Sequence, residues 1–119
     1  STPLSVEIDE PVRVAESMMI DNEIRHLPVT DSGVLVGILS DRDIAFGVNT
    51  DGSDLADRLK VREVCALDVH TVEPGTRLDT VLVEMAERRI GSTVVAKGGK
   101  VVGLFTVTDA CRCFAEYLR

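Results

Sequence analysis

Two short motifs carry the chemistry open to this chain: Ser40-x-x-Asp43 and Thr106-x-x-Asp109. A hydroxyl with a carboxylate three residues on is first of all a helix start, close to a capping box. A carboxylate also accepts two hydrogen bonds at once, so it could take a ligand as well. The two roles are compatible. Beside the first motif stand Arg42 and His26. Arg42 directly precedes Asp43 at an expected helix N-terminus, where backbone N–H groups and the helix dipole favour an anion. His26 sits at the matching strand entry. Together they would clamp a phosphate; the plainer reading is a strand-end histidine and a solvated arginine. The second motif has Ser92 and Thr108 at those places. The first place therefore suits a phosphorylated ligand, and the second a less charged one or none.

These residues are positioned by a duplication. Shifted by 66 residues, the chain lands on itself without a gap, with nine identities over 53 comparable positions. Chance gives roughly three at average composition. Val6-Glu7 falls on Val72-Glu73, Met19 on Met85, Gly37 on Gly103 and Asp43 on Asp109. Each repeat reads as strand, helix, strand, strand, helix. In the first, residues 4–7 form a short strand, and Asp9-Glu10-Pro11 opens a helix with Val12, Ala15, Met18 and Met19 on its apolar face. Residues 26–29 and 34–39 are strands around a Thr30–Gly33 turn. Ser40 starts a second helix running to about Gly47. In the second repeat, residues 70–73 are the short strand and Thr76 is a good N-cap, with Asp79 at the third helical position. Leu78, Val81, Leu82, Met85 and Ala86 form an apolar stripe. Residues 92–96 and 101–105 form the hairpin, and residues 108–117 the closing helix. The polar stretch 49–53 is the main linker. The expected organisation is repeat 1 over 1–53, a linker helix over 54–66 and repeat 2 over 67–119. A half of about 50 residues buries too little surface alone, so the two fold as one module. A segment matching this linker ahead of repeat 1 is absent, because the chain begins at Ser1, as expected of an excised piece of a longer protein.

Composition narrows the function. Apolar residues make up 45% of the chain, with only four aromatic residues and no Trp. The core is aliphatic and β-branched, and no base-stacking surface is expected. A net charge of −7 disfavours nucleic-acid binding, which needs a basic footprint. No apolar run reaches the length of a membrane span, and no signal peptide is visible. Three cysteines, an odd number, fit reduced thiols in the cytoplasm. Cys111 and Cys113 are two apart on a helix and do not share a face, so with His26 or His70 they make a poor metal site. Nothing spaces a nucleophile with a base and an orienting group, so no enzyme activity is expected.

The residues Ile24-Arg25-His26-Leu27-Pro28-Val29 and Gly33-x-x-Val36-Gly37-Ile38-Leu39-Ser40-Asp41-Arg42-Asp43-Ile44 resemble one half of a CBS domain pair, or Bateman module. Ile90-Gly91-Ser92-Thr93-Val94-Val95 and Gly99-x-x-Val102-Gly103-Leu104-Phe105-Thr106-Val107-Thr108-Asp109 resemble the other, in register. The resemblance covers essentially the whole chain. It implies an α/β (α+β) fold of tandem β-α-β-β-α repeats about a pseudo-two-fold axis. It implies a regulatory, non-catalytic role, with an adenosyl nucleotide (AMP, ADP, ATP, S-adenosylmethionine or NAD-like) bound in the cleft between the repeats as a regulatory ligand, and no required cofactor. Within it, Asp43 and Asp109 accept hydrogen bonds from the ribose hydroxyls, with Ser40 and Thr106 beside them. Ser5-Val6 and Thr71-Val72 lie where the first strand reads the adenine edge, largely through backbone groups. The implied partners are a second copy in a homodimer and an effector protein or fused domain. Two other readings stay open: a structural homodimerisation module with vestigial pockets, and a regulatory fragment of a larger enzyme or transporter.

Overall fold

The computed structural model describes residues 3–51 and 58–119. They divide into two compact units, Leu4–Val69, and His70–Arg119 together with Pro3. The first contains β1 (Val6–Glu7), α1 (Val12–Asn22), β2 (His26–Asp31), β3 (Val34–Ser40), α2 (Asp41–Asp51) and α3 (Val61–Val64). The second contains β4 (Thr71–Val72), α4 (Leu78–Arg88), β5 (Ser92–Lys97), β6 (Lys100–Thr106) and α5 (Val107–Leu118). Each unit has one three-stranded sheet, ordered β1-β2-β3 or β4-β5-β6, with a parallel first pair and an antiparallel hairpin. The fold is the mixed α+β repeat expected from the sequence.

The duplication holds at the level of individual ladder pairs. His26 faces Ser40 as Ser92 faces Thr106, and Val29 faces Gly37 as Val95 faces Gly103. Even the irregularity repeats, after Val29 in one hairpin and after Val95 in the other. A bulge of this kind re-aims the strand and is a designed feature. Both hairpins close through two residues with positive φ: Ser32 (51°) and Gly33 (83°), Gly98 (58°) and Gly99 (78°). That is the twist a tight hairpin needs.

The cores are unequal. In the first unit Val6, Ile8, Val12, Ala15, Met19, Leu27, Val29, Leu39, Ile44 and Val61 form one buried cluster. In the second only Val81, Met85, Thr93 and Val94 are buried. The chain that follows α2 returns onto the first unit. Val12 N–H bonds the Leu59 carbonyl at 2.8 Å, and Arg62 N–H the Ile8 carbonyl at 2.8 Å. Ile38 and Ala66 exchange both backbone bonds at 2.9 Å. A Cβ on Gly37 would stand 2.6 Å from the Ala66 oxygen, so only glycine allows this approach.

Several boundaries move. The strands at 4–7 and 70–73 shrink to Val6–Glu7 and Thr71–Val72. The expected 49–53 linker begins as helix, because α2 continues to Asp51. Of the expected 54–66 linker helix, residues 54–57 lie outside the described residues, and only Val61–Val64 is helical in the rest. Ala66 serves as a strand partner instead. Thr76 is not the cap of α4: its hydroxyl donates to the Glu73 carbonyl at 2.7 Å, closing the turn, and Arg77 takes the cap position. Of the stripe on α4, Val81 and Met85 are buried while Leu78, Leu82 and Ala86 are exposed.

One carboxylate holds the first hairpin. Glu7 accepts hydrogen bonds from the Thr30 hydroxyl, from Ser32 N–H at 2.8 Å and from Gly33 N–H at 3.3 Å. The Thr30 hydroxyl, then the Ser32 amide, holds the Glu7 pKa below its ordinary 4.5. A carboxyl with a depressed native pKa stabilises the fold above its unfolded pKa, and the effect fades as pH falls through the native one. Thermal melts of Glu7→Gln will therefore fall below wild type at about pH 7 and converge with it as pH falls below 4.5 and through the lowered native pKa. A constant gap across that range would show that the carboxylate charge is not what holds the turn.

Candidate functional site

The two motifs sit at strand-to-helix junctions. β3 ends on Ser40 and α2 begins at Asp41. Ser40 Oγ accepts from Asp43 N–H at 3.1 Å, and an Asp43 carboxylate oxygen accepts from Ser40 N–H at 3.0 Å. This reciprocal cap satisfies two helix-end donors. It also fixes the Asp43 carboxylate at the junction, half-buried. Among the described residues its other oxygen, Oδ1, has no hydrogen bond. His26 is the ladder partner of Ser40, so the hairpin itself delivers the imidazole to the junction. Asp41 N–H bonds the Arg25 carbonyl at 2.9 Å and holds the helix start against the strand entry. Burial pushes the His26 pKa below 6.5; Asp41 and Asp43 oppose this and Arg25 adds to it. His26 is therefore mainly neutral at pH 7. Arg42 is exposed on the first turn of α2, and among the described residues no ion pair engages it.

The second junction is its counterpart. Thr106 caps α5: its hydroxyl oxygen accepts from Asp109 N–H at 3.2 Å, and Asp109 Oδ2 accepts from Thr106 N–H at 2.9 Å. Ser92 faces Thr106 in the ladder, and Val107 N–H bonds the Gly91 carbonyl at 3.0 Å. Here the second carboxylate oxygen is engaged, 3.6 Å from Arg112. Thr108 is exposed. Each unit thus brings three of the expected residues together: His26, Ser40 and Asp43, or Ser92, Thr106 and Asp109. Ser5, just before β1, and Thr71, in β4, lie at the opposite edge of each sheet from β3 and β6. No hydrogen bond ties either to its junction among the described residues.

A family model for the CBS domain matches residues 1–49 and 61–116. The chain belongs to the CBS domain family. It is 28% identical over 105 residues to the CBS domain-containing protein YhcV of Bacillus subtilis, covering 88% of this chain and 74% of that one. It is 30% identical over 106 residues to the inosine-5′-monophosphate dehydrogenase of Thermoplasma acidophilum, covering 88% of this chain but 20% of the enzyme. The CBS domain pair of protein MJ0100, solved with 5′-methylthioadenosine and S-adenosyl-L-methionine, superposes with a TM-score of 0.80 at 29% identity, over 95% of this chain and 92% of that one. The dehydrogenase is a larger protein in which the CBS pair is one part.

One cluster in the second CBS repeat was not visible in the motifs. His70, with a side chain 7% exposed, places Nδ1 2.8 Å from the Thr93 hydroxyl and Nε2 2.7 Å from a Glu84 oxygen. At the same register the first repeat has Leu4, Leu27 and Met18. The signal was a threefold change from apolar to polar at positions 66 apart. It anchors the residue before β4 to α4 and β5, and leaves no buried side-chain donor or acceptor unpaired among the described residues. Among those residues no group of three His, Cys, Asp or Glu could hold a metal ion.

Proposed function

We propose that this CBS pair is a regulatory module that binds an adenosyl ligand at its Ser/Thr-x-x-Asp junctions. The observation that carries the reading is the repeated cap. Asp43 and Asp109 are both half-buried, and each spends one oxygen on its own helix start. At Asp43 the remaining oxygen is left to accept from a ribose hydroxyl. The relative MJ0100 was solved with two such adenosyl compounds. The first junction, with Arg42 and His26, takes a phosphorylated ligand; the second, with Thr108 and Ser92, takes a less charged one. Ser5 and Thr71 line the adenine side through their backbones. We read residues 1–53 and 67–119 as the two repeats, joined by 54–66, in a cytoplasmic protein that forms homodimers. Binding acts by favouring one conformation, which an effector protein or fused domain reads; a ligand of equal affinity for both conformations regulates nothing.

The competing reading is a dimerisation module without a ligand. It draws on α5, where no residue is buried and Val107, Phe114, Tyr117 and Leu118 are exposed. Calorimetric titration with AMP, ATP, S-adenosylmethionine and NAD at matched salt separates the two. Saturable binding of at least one is expected. No heat and no thermal shift with all four would sink the sensor and leave the dimerisation module.

A further inference from the structure

The two hairpin tips share a backbone and differ in what surrounds it. In the first repeat Ser32 and Gly33 have positive φ, and their N–H groups bond the Glu7 carboxylate at 2.8 and 3.3 Å. Sixty-six residues on, Gly98 and Gly99 have positive φ as well. Successive turn N–H groups of this kind form a concavity that fits an anion, and the first repeat fills its own with a carboxylate. In the second repeat neither N–H has a hydrogen-bond partner among the described residues. A Cβ added at Gly98 would meet nothing within 4 Å, so the tip is open.

Glu73 is the counterpart of Glu7, and two substitutions release it from the tip. Ile8 N–H donates to the Thr30 carbonyl at 2.8 Å and carries the β1–β2 pairing past Glu7. The residue in its place, Pro74, has no N–H to give, and the β4–β5 ladder stops at Val72 and Val95. The Thr30 hydroxyl, which donates to Glu7, is replaced by Ala96. Glu73 is exposed, and no hydrogen bond engages its carboxylate among the described residues. The flanking charges differ in the same sense. The first tip sets Asp31 opposite Val34; the second sets Lys97 opposite Lys100, both exposed and without an ion pair among the described residues. Like charges directly opposite each other destabilise a hairpin, and an anion seated beside them offsets that repulsion. In a chain of net charge −7, this tip is a local cationic point.

We propose that the Lys97–Lys100 tip is an anion site that takes a carboxylate side chain from an acidic segment of the effector protein. This rests on the effector-reading role proposed above and adds a place and a chemistry for the contact. The Gly98 and Gly99 N–H groups hold the carboxylate as Ser32 and Gly33 hold Glu7, and the two lysines supply the charge. Hydrogen bonds to an ionised acceptor are the strong ones, and the lysines confine the preference to acidic partners.

The test is amide NMR of the whole chain during titration with an acetylated, amidated hexaglutamate peptide. Saturable movement of the Gly98 and Gly99 amide signals is expected. The Gly33 signal should stay in place, because Glu7 already fills its turn. Lys97→Gln combined with Lys100→Gln should weaken binding about tenfold. The melting temperature should not change, since both positions are exposed. A hexaglutamine peptide should move neither signal. Glycine signals that stay in place with hexaglutamate, or that move equally in the double variant, overturn the site. Movement that appears only in Glu73→Gln would show that Glu73 closes its own tip, as Glu7 does, and overturns it too. Each of these results leaves adenosyl binding at the Asp43 and Asp109 junctions to its own titration.

Discussion

Replacing Gly37 by alanine will destabilise the chain by about 2–4 kcal/mol, while the same change at Gly103, its counterpart 66 residues on, will cost almost nothing. Both glycines sit in the same ladder position, opposite Val29 and Val95. Their surroundings differ. An added Cβ at Gly37 would stand 2.6 Å from a backbone oxygen, that of Ala66, and a backbone atom cannot swing away as a side-chain tip can. The returning chain must retreat, and the paired bonds between Ile38 and Ala66, both 2.9 Å, go with it. At Gly103 the nearest atoms to an added Cβ are on the Val95 side chain at 3.8 and 3.9 Å, an ordinary contact. A strand glycine with room beside it gains from a methyl group by about 0.5 kcal/mol, since the unfolded chain loses freedom. Urea unfolding of the two variants measures the difference. Equal costs would mean that the return of residues 59–66 onto the first unit is not a firm part of the fold.

The contrast shows what the sequence could and could not reveal. Register was legible because a strand slip moves every side chain to the wrong face. Two copies of Val-x-x-x-Gly-x-x-Val-Gly with the same spacing therefore specify the same hairpin twice. The caps were legible for a related reason: a hydroxyl and a carboxylate three apart satisfy each other's backbone donors without outside help, and both pairs do so. Contacts between segments distant in sequence were hidden. Nothing local in Cys65-Ala66 announces a partner for Ile38, and helix propensity at 54–66 pointed elsewhere. The Thr76 cap failed because its hydroxyl had a competing acceptor in the Glu73 carbonyl, the usual ambiguity of threonine between turn and cap. His70 reads from the sequence as the first residue of a short strand and as a poor metal partner for Cys111 and Cys113. Its partners Glu84 and Thr93 lie 14 and 23 residues on, beyond any local pattern. Polar clusters at otherwise apolar register positions become visible only when the two repeats are compared residue by residue.

Asp43→Asn and Asp43→Ala will separate the two jobs of the junction. Asparagine retains an acceptor for Ser40 N–H, so the cap survives; alanine removes it and costs about 1 kcal/mol of stability. For a ribose both changes remove the charged acceptor. Hydrogen bonds to charged groups contribute about 1.5–3 kcal/mol, so either variant should weaken adenosyl-ligand binding by about ten- to a hundredfold. The expected pattern is a loss of affinity shared by both variants, with a fall in melting temperature confined to alanine. Arg42→Ala, which breaks no ion pair among the described residues, should leave stability unchanged and weaken a phosphorylated ligand more than an uncharged adenosyl one. At Asp109 the same asparagine change should do less, since Arg112 stands near the remaining oxygen and would have to give it up on binding. Affinity that follows stability, lost in alanine and kept in asparagine, would show that Asp43 serves only its helix and that a ligand, if bound, is held elsewhere.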